Sequence, residues 1–191
     1  SEGILDVLDH SSPTTGYGSK LAIDLTDIDL NTEPQSLTKP RTAEPAGGVE
    51  LFSTELFDEL GLVILFAERE WRERVDVVEY LTRNNIEARF VALFDRGAAG
   101  AMTQSDLLWI AAANTDPRRD ITLHNGTIII DARSKRPGYG DNPRRFPNAV
   151  TSLPEVIHLV DERWAEYGLG ELIESPSRRY RKLWLSDSAE W

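Results

Sequence analysis

Continuous apolar runs alternate with stretches of helical spacing over the middle of this chain. "GLVILFAE" (Gly61 to Glu68) and "ARFVALFD" (Ala88 to Asp95) are unbroken apolar runs, the pattern of strands buried on both faces. Between them, "REWRERVDVVEYLTRNN" sets Trp71, Val75, Val78, Tyr80 and Leu81 near a 3.6-residue period. It ends in Asn84–Asn85, residues that accept the left-handed conformation of a helix stop. Strand, helix and strand with short joints predict a βαβ unit with a parallel crossover. "TQSDLLWIAAAN" predicts a short apolar helix capped by Thr103 or Ser105. Two strand-like pieces follow, "ITLH" and "TIIIDAR", and the Asn125–Gly126 between them predicts a tight hairpin. "SLPEVIHLVDERWAEYGLG" predicts a helix with Ser152 and Glu155 as a capping box, Pro154 in the first turn and Gly168 or Gly170 at the end. Its core face is Ile157, Val160 and Trp164, and Trp71 and Trp109 are read as core on their own helices.

Upstream the pattern changes. "KLAIDLT" (Lys20 to Thr26) reads as a strand, and the stretch after it carries Pro34, Pro40, Pro45 and Gly47–Gly48 with little periodic signal. "GYGSKLAIDLTDIDLNTEP" and "HNGTIIIDARSKRPGYGDNP" share a Gly-containing turn, an apolar strand, a closing Asp (Asp24 and Asp131) and a proline-bearing exit. A spacing this long points to a duplicated subdomain, not a solenoid. The expected architecture is α/β, a mainly parallel sheet with flanking helices and a partly repeated subdomain. Residues 1–30 close a first subdomain, 31–59 form a linker, 60–175 form a second subdomain, and 176–191 are a tail able to dock.

Composition narrows the function classes. The chain has 191 residues, no cysteine and a formal net charge of −11. Without cysteine there are no disulfides, thiolate metal sites or cysteine nucleophiles, in keeping with a cytoplasmic protein. No apolar run reaches the roughly 20 residues of a membrane span, and no charged-then-apolar leader is present. Residues 1–70 hold 14 acidic and 4 basic side chains, whereas the rest is nearly balanced. So acidic a front argues against nucleic-acid binding, which needs a positive face. The start, "SEGILDVLDHSSPTTGYGSK", lacks an initiator Met and is expected to be cut from a larger polypeptide.

Candidate chemistry is sparse. His10, His124 and His158 lie on three different elements without metal-ligand spacing. His10 sits between Asp9 and Ser11, but triad members meet from distant positions, so His10 is read as a turn residue. "GYGSK" places Lys20 after a glycine-rich backbone able to cradle phosphate, or to turn the chain while Lys20 pairs with Asp24 or Asp131. In "DPRRD", Arg118 and Arg119 form either internal pairs with Asp120 or a bidentate clamp for a carboxylate or phosphate of substrate, cofactor or partner domain. The tail groups Tyr180, Leu183, Trp184 and Leu185 with four cations, which suits an interface.

Three of these stretches carry a family resemblance. "LDVLDHSSPTTGYGSKLAIDLT", "SDLLWIAAANTDPRRD" and "GTIIIDARSKRPGYGDNPRRFPN", with the helix "PEVIHLVDERWAEYGL", resemble in order the carboxyl-terminal segments of UbiD-family decarboxylases of the menaquinone and aromatic-acid type. The chain departs from the family pattern at "DARSK" and at Phe146–Pro147. The resemblance implies a carboxy-lyase for an aromatic or α,β-unsaturated acid, using prenylated FMN and a divalent metal held by an amino-terminal flavin-binding domain. No segment here resembles that domain, so no catalytic or metal residue is transferred. Lys20, Arg118 and Arg119 are the cofactor-binding candidates, and this segment alone is expected to bind neither flavin nor metal. Its expected partners are that amino-terminal domain or a catalytic subunit, and further copies of itself. Two rival readings are an accessory subunit of such an enzyme and a nucleotide- or small-molecule-binding module using strand ends near Glu68 and Asp95.

Overall fold

A computed structural model describes residues 37–40, 44–46, 48–67, 77–96, 102–135 and 147–184, together with the backbone of β1 (Glu2–Ile4) and β2 (Tyr17–Ser19). The expected strand at Lys20 to Thr26, along with Asp24, Glu68, Trp71, Val75 and Trp191, lies outside the described residues. β1 and β2 pair antiparallel. The chain divides into two compact units, Ser1–Phe146 and Pro147–Trp191.

The first unit is α/β, as the sequence pattern predicts. Its main sheet has five strands in the order β3-β4-β5-β7-β6, formed by Val49–Ser53, Leu62–Ala67, Phe90–Asp95, Thr127–Asp131 and Ile121–His124. β4, β5 and β7 run parallel, and the two edge strands run antiparallel to their neighbours. Successive side chains of a strand point to opposite faces, so an apolar run is stable only where both faces are covered. Here Val63, Leu65, Val91 and Leu93 join Val77, Tyr80 and Leu81 of helix α2 (Val77–Arg83) in one buried cluster. On the alternate positions Ile64, Phe66, Ala92 and Phe94 are buried too. Each such side chain contributes about 1.5–3 kcal/mol through removal from water.

The segment 31–59, expected as a linker, instead supplies an edge strand. β3 pairs with β4, with a register shift between Leu51 and Ser53 that leaves Phe52 stacked on Phe66 at 4.3 Å between ring centres. The upstream chain is fastened as well: Asn84, just past α2, binds both the amide and the carbonyl of Glu44, and Thr38 and Glu87 exchange backbone hydrogen bonds. These tethers are made by backbone and asparagine amides, which carry no apolar periodicity. As predicted, Asn85 is left-handed at the end of α2, with φ 50°.

α3 (Gln104–Asn114) begins with Thr103, which with Asp106 forms a complete capping box. Trp109, expected in the core, is 46% exposed; Leu107 and Ile110 hold the buried side of the helix. The predicted hairpin is present, with Asn125 and Gly126 both at positive φ, as a type I′ turn requires. In the second unit, α5 (Pro154–Glu162) starts at Pro154, and its N-cap residue is Leu153 with no side-chain cap. The expected Ser152–Glu155 box does not form, and the Ser152 amide donates to Ser177 Oγ instead. Ile157 is buried, with Val160 and Trp164 half-buried beside it. α6 (Trp164–Tyr167) ends at left-handed Gly168. Among the described residues, no helix is long and apolar enough to cross a membrane.

Helix α1 (Phe57–Leu60) turns into β4 through Gly61, whose φ is 65° and whose amide donates to the Phe57 carbonyl at 2.7 Å. A Cβ there would lie 3.0 Å from both Arg89 Cγ and Leu37 Cδ1. Gly61→Ala therefore combines left-handed strain with a steric clash. It is expected to destabilise the protein by about 1–2 kcal/mol, read as a lower urea midpoint at unchanged slope.

Candidate functional site: a buried charge cluster at the strand ends

In a parallel sheet, the carboxyl ends of the strands are where chemistry gathers. Asp95 ends β5 and Asp131 ends the neighbouring β7, so the topology brings two carboxylates to one rim. A third arrives through α4 (Pro117–Asp120). Asp116 precedes a proline, which pushes it into extended backbone, and its Oδ1 accepts the Arg118 amide as an N-cap. One turn later, Asp120 Oδ2 accepts the Asp116 amide at 2.8 Å, closing the turn on itself.

Cations fill the space among these carboxylates. Arg119 grips Asp120 bidentately, Nε to Oδ1 at 2.8 Å and Nη2 to Oδ2 at 2.6 Å. Arg133 grips Asp131 in the same way, at 2.9 and 2.7 Å. Lys135 is fully buried, and its Nζ donates to the carbonyls of Asp131 and Arg133 at 2.6 and 2.7 Å. The same ammonium stands 3.7 Å from Asp120 Oδ1 and 3.6 Å from Asp131 Oδ1, bridging the two arginine-carboxylate pairs. The segment is also held at its backbone: Asp95 Oδ2 accepts the Ser134 amide, and Asn114 donates to the Ala132 carbonyl.

The electrostatics follow from this packing. Burial disfavours charge on Arg119, but the Asp120 hydrogen bond and the charges of Asp120, Asp116 and Asp131 outweigh it, and its pKa is raised. For Lys135 burial dominates; Asp131 and Asp120 favour its charge, Arg119 and Arg133 oppose it, and its pKa is lowered from the ordinary 10.5. In the core, burial raises the Tyr80 phenol, against the effect of a backbone hydrogen bond with Leu51.

Of the two alternatives open for Arg119, the structure selects the internal pair: its fork is occupied by Asp120, not offered to an outside carboxylate. Arg118 is exposed on the same turn. Lys20 and His10 lie outside the described residues. His124 and His158 are not brought together with other ligands; His158 faces Glu162 on α5, and Asn125 lies beside His124. Among the described residues, no group of three or more His, Asp or Glu side chains is arranged to hold a metal ion. The carboxylates of the cluster do not fit a divalent metal either, because Asp120 and Asp131 are saturated by arginine and lysine donors. Nor does the cluster fit a flavin phosphate, since Arg133 and Lys135 are committed inward. Sequence reasoning passed over Arg133 and Lys135. The usable signal was two Asp-to-partner spacings of four, Asp116 to Asp120 and Asp131 to Lys135, each at a strand boundary.

No family model matches the chain. It is similar to uncharacterized proteins of two organisms. Identity with a protein of Helicobacter pylori strain 26695 is 25% over 170 residues, covering 85% of this chain and 27% of the relative. The J99 strain protein is 24% identical over the same length. A protein of Aeropyrum pernix is 28% identical over 81 residues, covering 34% of this chain and 17% of the relative. The chain thus spans about a quarter or less of the length of these relatives.

Two outcomes are expected from the cluster. Asp120→Ala leaves Arg119 buried without its carboxylate and should cost about 3–5 kcal/mol in chemical denaturation. For Lys135, the unfolded chain holds the proton at pH values where the folded chain has released it. Stability therefore rises with pH between the lowered folded value and 10.5, and is flat above and below that window. The difference in stability between the protein and its Lys135→Met variant should show this rise; a pH-independent difference would contradict it.

Proposed function

We propose that this chain is the carboxyl-terminal structural and oligomerisation region of a UbiD-like, cytoplasmic carboxy-lyase for an aromatic or α,β-unsaturated acid. An amino-terminal domain or separate catalytic subunit supplies the prenylated-flavin site. The observation that carries this reading is the inward saturation of the charge cluster. The "DPRRD" and "DARSK" stretches, two of those that resemble the family, meet at one sheet rim and neutralise each other. Residues spent in this way fix the backbone where strands end; they are poor candidates for binding or turning over a substrate. The short share of the long relatives that this chain covers fits a region that works within a larger protein.

The test is reconstitution. The chain alone, incubated with prenylated FMN and Mn²⁺, is expected to give no bound-flavin spectrum and no carbon dioxide from cinnamic-type or hydroxybenzoic acids. Addition of an amino-terminal UbiD-type domain, from a long relative, is expected to restore both. Equal activity of that domain with and without the chain would overturn the proposal. Saturable nucleotide binding to the isolated chain by calorimetry would instead favour a free-standing binding module.

A further inference from the structure

The second unit is poorly supplied with core. Among its described residues Ile157 is the only fully buried apolar side chain. Leu153, Val156, Leu159, Leu169, Leu172 and Ile173 are each at least 45% exposed. Isolated exposed leucines are ordinary, but six within 21 residues of one small unit are not. The tail expected to supply an interface is used internally. Trp184 donates to the Ala149 carbonyl at 2.7 Å and lies under Arg181, and Arg178 pairs with Asp161 of α5. Outward apolar area is therefore concentrated on α5 and the turn after α6, not on the tail.

We infer that the exposed row of α5 is a dimer interface with a second copy of this chain, packed antiparallel about a two-fold axis near Leu159. Three features on that helix fit a second copy. Glu155, Leu159 and Arg163 are spaced by four and form one ridge, the unit of the commonest helix-packing class. A two-fold axis at Leu159 sets Glu155 against the partner's Arg163 and, by symmetry, Arg163 against the partner's Glu155. Arg163 meets its own Glu166 through Nε, which leaves its Nη groups for this contact. Charge outside the ridge does not oppose the approach. Residues 147–184 hold six acidic and five basic side chains, so most of the −11 lies elsewhere. The inference deepens the oligomerisation part of the proposed function and does not need the decarboxylase assignment.

The experiment is sedimentation equilibrium of the full chain with surface variants that leave Ile157 untouched. The 21.5 kDa chain is expected to sediment at twice that mass. Leu159→Asp should weaken the dimer at least tenfold without changing the circular dichroism. Glu155→Arg and Arg163→Glu should each weaken it as well, and an equimolar mixture of those two variants should recover a mixed dimer, because each then meets its complement. A monomer at all concentrations, a dimer indifferent to Leu159→Asp, or no recovery in the mixture would overturn the inference. Dimerisation is read without flavin, so failed reconstitution of decarboxylation with an intact dimer would count against the enzyme assignment alone.

Discussion

One buried ammonium ties the carboxyl rim of the sheet together. Lys135 binds two backbone carbonyls and stands between two carboxylates, each already forked by an arginine. Removing a charge from water is expensive, and only a full set of partners makes it tolerable. The partners come from α4, from the end of β7 and from the segment beyond it, so the network forms only when all three are in place. Such a site contributes little net stability compared with an apolar filling, yet it penalises every arrangement in which one partner is missing. That makes it a device for uniqueness of structure more than for strength.

The same economy runs through the rest of the first unit. β4 and β5 are apolar on both faces and need cover from both sides, which α2 provides on one of them. The edge strand β3 and the Asn84 tether fasten the chain that approaches the sheet. The second unit has the opposite balance, with a thin interior and an apolar exterior, and it is there that a further surface is called for.

The α/β class, the parallel β4–β5 pair, the Asn125–Gly126 hairpin and the Thr103 cap were legible in the sequence because each depends on local pattern or local turn chemistry. β3 was not, because an edge strand broken by a bulge has neither a continuous apolar run nor clean alternation. The exposure of Trp109 could not be read either, since α3 is apolar on nearly every side and its sequence does not say which side is covered. At the site, Arg119 and Asp120 were visible as a pair, but the fork's direction was not. Lys135 was hidden for a physical reason: a lysine near a turn is ordinarily solvated, and its burial depends on carbonyls whose positions only the fold defines.

The β6–β7 hairpin has a consequence for how the chain reaches this state. β6 and β7 are joined by two residues, so their pairing involves almost no loop closure, and hairpins of this kind form in microseconds. The parallel pairings of β7 with β5, and of β5 with β4, each wait on a crossover and are slow by comparison. β7 can therefore arrive at the sheet already paired along one side, with only the edge facing β5 open. During folding this halves the time-averaged exposure of an isoleucine-rich strand to wrong partners, and it does so with a turn of two residues.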